Sequence, residues 1–282
     1  MRTARWVLVL FVAILGFTAN SSAVERTAYV GDAYGNMNSG VISTSSWWMQ
    51  LSTILDLDNY LVGSTMDSDG SLLTMLSETD ELVRINPATL EYQVLHTLAI
   101  DVVELDDLTF GPSGELLFLK GGFLSGSSSL FEIDTETGGL TLLAEFDEEL
   151  STIEYHQGAY YAGNYLSQFW RIDPVTFEAT LIREDGWFSG PWGLASIGNS
   201  LWCGYTIWGG LYSLYPFIGV IDPETGDISD RAFLGIITTN YPYYQSLEIV
   251  ERITPIPALR PTGVVVLVVL LALVGTLAIR RL

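Results

Sequence analysis

A hairpin phrase that recurs four times constrains the fold more than any other feature of this chain. The copies begin at Asp80 (DELVRINPATLEYQVL), Ser128 (SSLFEIDTETGGLTLL), Ser167 (SQFWRIDPVTFEATLI) and Phe217 (FIGVIDPETGDISDRAFL). In each copy a strand-like run ends at an isoleucine, turns through Asp or Asn, and resumes as an alternating run. The four isoleucines are Ile85, Ile133, Ile172 and Ile221. They recur every 40 to 50 residues or so, which is typical of propeller blades or a solenoid array.

Each hairpin belongs to a longer unit of four strands. Ahead of the second hairpin, one strand ends at Phe110, a turn follows, and a second strand spans 115–119. The hairpin then supplies a third strand, 130–134, and a fourth, 140–146. The strands are rich in Thr, Tyr, Val and Ile, and turn residues interrupt them every 8 to 12 residues or so, which excludes helical repeats.

The two ends of the repeated region predict how the ring closes. The segment 245–251 reads as a lone first strand, and residues 27–55 can supply strands two to four of the same sheet. Joining the first and last strands in one blade removes exposed sheet edges. We therefore predict an all-β, five-bladed β-propeller over residues 24–255. Six blades and an open solenoid are the alternatives.

Charge and cysteine content narrow the classes of partner. The predicted propeller carries all 33 acidic residues of the chain and only seven of its 12 Lys and Arg residues. Nucleic acid and anionic lipid are poor partners for so acidic a surface. Cys203 is the sole cysteine, so no intramolecular disulfide can form and the fold depends on burial.

Both ends of the chain have the composition of targeting segments. Arg2 and Arg5 precede an apolar run, and small residues follow at 21–23, as in a secretory signal peptide over residues 1–23. Residues 263–279 are uncharged and strongly apolar, and two arginines follow at once. This pattern predicts a membrane-spanning helix with a cytoplasmic basic end.

The tail from residue 256 onward resembles the IPTL-CTERM sorting signals, relatives of the PEP-CTERM signals. The likeness has three parts, which are a short motif, a glycine after it and a basic end. The residues at these positions are Ile256, Pro257, Ala258, Leu259, Gly263, Arg280 and Arg281. Ala258 stands where the family motif usually has Thr. The resemblance implies export in a Gram-negative bacterium, a membrane-anchored stage, and processing by an exosortase-type enzyme. It covers about the last 30 residues and indicates an address rather than an activity. A plain single-pass anchor is the alternative.

Residue types suited to catalysis are scarce. His156 falls in a predicted turn and His96 in a fourth strand, and neither has metal-ligand spacing. The segment 65–71, TMDSDGS, faintly resembles a calcium loop, but Leu76 stands where an EF-hand needs its last acidic residue. An ordinary turn is the favoured interpretation, with calcium as the alternative. We predict no catalytic residue, no metal ligand and no cofactor.

Aromatic residues predict a ligand site on one rim of the propeller. The segments 184–193, 206–217 and 239–245 are aromatic, and we assign them to loops that leave one face. The predicted rim residues are Trp187, Trp192, Trp208, Tyr212, Tyr241, Tyr243 and Tyr244. Exposed aromatic patches often mark binding sites. The alternative is that these rings pack on each other and plug the channel.

Together these features predict an exported, surface-directed binding module. Its ligand would be a glycan of the cell envelope or a protein partner. An extracellular propeller enzyme of the lyase or lactonase type, using carboxylates and bound calcium, is the first alternative. A purely structural surface protein is the second.

Overall fold

The structure is a computed structural model, and it describes residues 22–32, 36–42, 52–57, 59–103, 106–121, 126–184, 188–208, 214–234 and 244–255. The chain divides into two compact units, one of which is Arg26–Glu251. The other combines Met1–Glu25 with Arg252–Leu282, and only its residues 22–25 and 252–255, all in strands, are described. The account below concerns the unit Arg26–Glu251.

The described residues form five four-stranded sheets and no helix. Blades 1 and 2 consist of β4 (Leu61–Met66), β5 (Leu72–Leu76), β6 (Glu81–Ile85) and β7 (Tyr92–Thr97), then β8 (Asp107–Phe110), β9 (Leu116–Lys120), β10 (Ser128–Ile133) and β11 (Leu140–Phe146). Blades 3 and 4 consist of β12 (Thr152–His156), β13 (Ala159–Gly163), β14 (Gln168–Ile172) and β15 (Ala179–Glu184), then β16 (Phe188–Ile197), β17 (Ser200–Trp208), β18 (Leu214–Ile221) and β19 (Ile228–Phe233). Blade 5 consists of β20 (Tyr244–Pro255), β1 (Ser22–Asp32), β2 (Asn36–Ile42) and β3 (Ser52–Asp56).

Blade 5 combines strands from both ends of the propeller. Its order is β20, β1, β2, β3, so the last strand of the ring supplies the first position of the blade. This arrangement confirms the predicted five blades and the predicted closure.

The repeated hairpins share one local geometry. In blade 3 the Asp173 carboxylate accepts hydrogen bonds from the backbone N–H groups of Val175 and Thr176, at 2.8 and 2.9 Å. Asn86, Asp134 and Asp222 accept the same two bonds in their own turns. A short side chain that bonds the backbone two residues on fixes such a turn. The Asp and Asn residues of the phrase are therefore structural, as predicted.

The core is divided among the boundaries between blades. Each of five apolar clusters joins two consecutive blades, and together they close the ring. The isoleucine that ends each third strand is buried at such a boundary; Ile172, for example, packs with Leu117 of blade 2 and is 0% exposed. The predicted role of these isoleucines as inward anchors is confirmed.

The predicted terminal segments lie outside the described residues. These are the hydrophobic part of the signal peptide, the sorting motif and the apolar stretch 263–279. Within the part of the chain that the structure describes, no helix has the length and apolarity needed to span a membrane.

Candidate functional site

The first strands of the blades line the axis of the propeller, and they are joined by side chains instead of a backbone ladder. β4 contacts β8, β8 contacts β12, and β12 contacts β16, although each belongs to a different sheet. Backbone N–H groups at such a boundary have no neighbouring strand to bond, and leaving them buried without a partner is costly. Side-chain oxygens must therefore accept them.

Asp107 on β8 is the clearest of these acceptors. Its carboxylate accepts hydrogen bonds from the Thr152 hydroxyl at 2.6 Å and from the Ile153 N–H at 2.9 Å, both on β12. On the other side it accepts the N–H of Ser64 on β4, and its own neighbour Leu108 donates at 2.9 Å. Asp107 is 4% exposed. One buried carboxyl thus connects three blades.

A second set of hydrogen bonds between blades lies two residues further along β8 and β12. The Thr109 hydroxyl oxygen on β8 accepts the Tyr155 N–H at 3.3 Å and donates to the Glu154 carboxyl at 2.8 Å. Glu154 on β12 in turn accepts the Ser196 N–H of β16 at 3.1 Å. Asp107, Thr109 and Glu154 each accept a backbone N–H from the next blade, so part of this polar chemistry is structural.

Glu248 departs from the pattern. It lies on β20 and is 7% exposed, yet the described residues offer its carboxyl only one donor, the N–H of its own neighbour Ile249. Glu154 and Asp107 face it closely enough to raise its pKa. Glu248 is therefore a buried acid that no neighbouring blade uses for joining.

A pocket of about 480 Å³ opens where the first strands end. Its polar lining includes Glu154, Glu248, Ser196 and Thr65. The remaining lining residues are Met66, Phe110, Gly111, Tyr155, Ile197, Gly198, Ile249 and Val250. The pocket thus combines two carboxyl groups with a wall that includes apolar side chains, and we name it the channel-mouth pocket.

Burial and mutual repulsion perturb the three axial carboxyls. Burial raises the pKa of Asp107 to about 7, against the opposing effect of its hydrogen-bond donors. Burial and the nearby Asp107 raise the pKa of Glu154 to about 8. Burial, together with Glu154 and Asp107, raises the pKa of Glu248 well above its ordinary value. Glu154 is therefore largely protonated near neutral pH, and the pKa of Glu248 is shifted in the same direction.

A serine–histidine contact borders the pocket. Nδ1 of His156 lies 2.7 Å from Oγ of Ser196, which is itself a pocket residue. Burial lowers the pKa of His156, so the ring is neutral at pH 7. Nε2 of His156 is buried and has no hydrogen-bond partner among the described residues. The pair can exchange a proton, but no described group orients the second ring nitrogen, unlike in a catalytic triad.

A fourth buried carboxyl lies outside the pocket. Asp106 accepts N–H bonds from Val103 at 2.8 Å and Gly121 at 2.7 Å, and Lys120 pairs with it at 3.4 Å. Burial raises its pKa to about 6, partly offset by Lys120. Because it has both a cation and backbone donors, its role is structural.

His96 and the calcium-like segment occupy structural positions. Nε2 of His96 lies 2.8 Å from the carbonyl oxygen of Thr135 in the neighbouring blade. The segment 65–71 forms the end of β4 and the turn that follows, and Asp67 there pairs with Arg84 at 2.8 Å. Within the described ranges, no group of three His, Cys, Asp or Glu side chains is placed to hold a metal ion.

The predicted aromatic rim is only partly described. Trp187, Tyr212, Tyr241 and Tyr243 lie outside the described residues. Trp192, Trp208 and Tyr244 belong to strands β16, β17 and β20. The assignment of these three to loops was therefore wrong: the strands extend further into the aromatic segments than their Gly and Pro residues suggested.

Among the predicted rim residues, only Trp192 has a described side chain. Its ring is partly buried and packs against the cluster between blades 4 and 5. A Cβ at Gly204 would lie 2.3 Å from this ring, so the glycine makes room for it. Trp192 is in part a packing residue, and a ligand role for the rim stays a prediction.

Sequence reasoning missed Glu154 and Glu248. Acidic residues are scattered over the chain, and most are solvent-exposed, so acidity alone did not single these two out. A usable signal was available in the first strands TIEYH and SLEIV, each of which carries a glutamate among apolar residues that the repeat alignment places next to the axis.

Comparisons with known proteins bear on the fold. No model of a known protein family matches the chain, and no curated protein matches it. Among solved structures, a chain from "Crystal structure of Nidogen/Laminin Complex" is similar, with a TM-score of 0.52 and 10% sequence identity. The match covers 80% of this chain and 98% of that chain. At this identity the likeness supports the propeller fold alone.

Proposed function

We propose that this chain is a propeller binding module whose small-molecule ligand occupies the channel-mouth pocket. The observation that carries the proposal is the placement of two acidic side chains, Glu154 and Glu248, in one apolar-walled pocket. Concave, largely apolar sites with a few convergent polar groups are the usual form of small-molecule sites. The joining role of Glu154 explains one of these acids, whereas the described residues of the other blades offer Glu248 no hydrogen-bond donor.

The proposal is tested by filling the pocket. The melting temperature of the full-length protein is measured in the presence of a panel of small amines, alcohols, carboxylates and sugars. A ligand that binds the native state raises this temperature. Met66→Trp puts a large ring at the pocket wall, and Val175→Trp puts the same ring at a site that is 84% exposed. A ligand of the pocket stabilises the wild type and Val175→Trp but not Met66→Trp. Equal shifts in all three proteins, or no shift with any compound, would overturn the proposal.

We further propose that the module is exported to the envelope of a Gram-negative bacterium and sorted through its tail. The support is the signal-like segment 1–23 and the IPTL-CTERM-like tail from Ile256 to Arg281. A membrane-anchored precursor and an exosortase-type processing enzyme follow from this proposal. The acidity of the propeller argues against nucleic acid as a partner.

The aromatic segments provide a second candidate surface, for an envelope glycan or a protein. Flat rings stack on sugar faces and also dominate protein interfaces. The similar structure is a complex of nidogen with laminin, which makes a protein partner a candidate beside the glycan. The double variant Trp187→Ala, Trp208→Ala is expected to fold normally and to lose retention on envelope polysaccharide. Unaltered retention would exclude these two rings from a glycan site.

Catalysis is the second candidate function, and one contact favours it. His156 and Ser196 form a 2.7 Å pair at the pocket, next to the Glu154 carboxyl. Enzyme action of the lyase or lactonase type with calcium rests on the sequence alone. If His156→Gln left ligand binding intact and abolished conversion of the bound compound, catalysis would replace simple binding.

A further inference from the structure

We infer that the channel-mouth pocket binds a small organic cation, with its ammonium group held between the carboxylates of Glu154 and Glu248 and its apolar body against the pocket wall. The inference rests on the proposed function and names the class of ligand for the same site. Three observations support it: a local imbalance of charge, an acid that lacks donors, and the shape of the wall.

The axial carboxyls have no protein counter-charge among the described residues. Salt bridges there join Arg84 to Asp67, Lys120 to Asp106 and Arg183 to Asp227. None of these involves Asp107, Glu154 or Glu248. Buried acids are ordinarily paired with a cation or kept protonated. The site therefore gains most from a ligand that brings positive charge.

The surroundings of Glu248 indicate where the positive charge of the ligand would lie. Its residue is more than nine-tenths buried and lines the pocket, and its only donor within the described residues is the adjacent backbone N–H of Ile249. Asp107, by contrast, is saturated by donors from three blades. A carboxylate can accept several hydrogen bonds, so Glu248 retains acceptor capacity directed at the pocket. A primary ammonium offers three N–H donors to such acceptors.

The pocket wall selects an organic cation over a bare metal ion. A volume of about 480 Å³ is far larger than an ion requires. No described group of three His, Cys, Asp or Glu side chains is placed for metal coordination. The wall residues Met66, Phe110 and Ile249 favour a ligand that buries apolar surface. An amine with a short aromatic or aliphatic body satisfies both the acids and the wall.

Binding is expected to release protons. Glu154, whose pKa is raised to about 8, holds its proton near neutral pH, and the pKa of Glu248 is raised as well. An ammonium ion favours the ionised forms of both groups. The groups that face this pair are Asp107 and Thr109 on β8, Tyr155 and His156 on β12, Ser196 on β16, and Thr65 on β4. His156 is neutral and Asp107 adds further negative charge as pH rises. The affinity for a cation therefore rises with pH over the range in which these acids ionise.

The test uses three probes of one shape: 2-phenylethylammonium, 2-phenylethanol and 3-phenylpropionate. Binding to the full-length protein is measured by isothermal titration calorimetry at about pH 6 and about pH 8, below and at the raised pKa of about 8 of Glu154. We expect the ammonium probe to bind and the carboxylate not to bind. The affinity for the alcohol should be lower than that for the ammonium probe by a factor of about ten or more. Titrations in two buffers of different ionisation enthalpy should show net proton release with the ammonium probe only.

Matched variants assign the effect to the two acids. Glu248→Gln and Glu154→Gln preserve shape and should each weaken the ammonium probe by roughly ten- to a hundredfold, the effect of one charged hydrogen bond. Glu136→Gln makes the same change at an exposed turn residue and should leave binding unchanged. Circular dichroism and the melting temperature check that each variant is folded. Proton release by the wild type needs no variant, so it tests the inference even if a substitution disturbs the fold.

Two outcomes separate this inference from the proposed function. If neutral or anionic probes bind as tightly as the ammonium probe and Met66→Trp abolishes that binding, the pocket binds a ligand and the cation inference fails. If no probe binds and no compound of the wider panel depends on the pocket, both fail. Ammonium binding that survives both glutamine substitutions unchanged would also overturn the inference.

Discussion

The carboxylate of Asp107 on β8 accepts a 2.6 Å hydrogen bond from the hydroxyl of Thr152 on β12. The bond crosses the boundary between two blades whose first strands belong to different sheets. It replaces the backbone ladder that neighbouring strands of one sheet would share. Acidic side chains at the axis of this propeller thus connect neighbouring blades, in addition to any role in ligand binding.

Removing the Asp107 carboxyl should therefore destabilise the propeller strongly. Asp107→Ala leaves donors from three blades buried without an acceptor, and we expect a loss of about 3 to 5 kcal/mol in the free energy of unfolding. Asp107→Asn keeps one oxygen and should lose less. Asp147→Ala removes an exposed aspartate and should stay within about 0.5 kcal/mol of the wild type. Urea unfolding followed by tryptophan fluorescence measures all three, and equal stabilities for Asp107→Ala and Asp147→Ala would contradict the joining role.

Substitutions of Ile172 test the alignment of the four repeated hairpins. It is fully buried where blades 2 and 3 meet. Ile172→Asp puts an unpaired charge into that cluster and should cost more than about 4 kcal/mol, enough to prevent folding. Ile172→Val removes one methylene and should cost about 0.5 to 1.5 kcal/mol. A soluble Ile172→Asp protein with a wild-type melting curve would show that this isoleucine is not an anchor.

Stability should fall as pH rises from about 4.5, the usual range for glutamate ionisation. Glu154 and Glu248 hold protons in the folded state at pH values where the unfolded chain has lost them. Folding then takes up protons, so each such group reduces the free energy of unfolding by about 1.4 kcal/mol per pH unit between its unfolded and folded pKa values. For Glu154 that window ends at a pKa of about 8.

The double variant Glu154→Gln, Glu248→Gln should flatten this pH dependence. Denaturant unfolding at several pH values measures the slope for the variant and for the wild type. Asp106 and Asp107 contribute a fall of the same sign, since burial raises their pKa values to about 6 and about 7, so the double variant keeps part of the slope. A wild-type stability that rises through the same range would show that the acids are ionised in the folded protein.

Deleting residues 263–282 tests the proposed tail. The truncated chain keeps every described strand, because β20 ends at Pro255. We expect the full-length precursor to fractionate with membranes and the truncated protein to appear in the soluble exported fraction. Truncated protein that still sediments with membranes would rule out the tail as the anchor.

The turns were predictable from sequence because their cause is local. Asp173 sets its turn through bonds to residues two and three positions later, and the pattern of apolar residues on either side sets the strands. Four such phrases at blade spacing predict four blades, and the strand-like segments at the two ends of the repeated region predict the fifth. The fourth strand of blade 2, predicted over 140–146, matches β11 at both ends.

The candidate site was less predictable because its cause is not local. Glu248 and Glu154 are far apart in sequence, and only ring closure brings them to one pocket. The loop assignment of the aromatic segments was wrong because β16 extends beyond Trp192 to Phe188. Its pairing with β17 is irregular between Ser189 and Gly193, and the strand continues on both sides of that irregularity.

The most direct test of the central claim is a carboxyl-carbon NMR titration of the full-length protein labelled with ¹³C-glutamate. Glu154→Gln and Glu248→Gln samples assign the two resonances. The account predicts that both carboxyls titrate well above the ordinary glutamate range of about 4.3, and that 2-phenylethylammonium moves both midpoints to lower pH while leaving Glu136 unchanged. If both carboxyls titrate in the ordinary range and do not respond to the amine, Glu154 and Glu248 do not form a cation-binding pair, and the central claim is wrong.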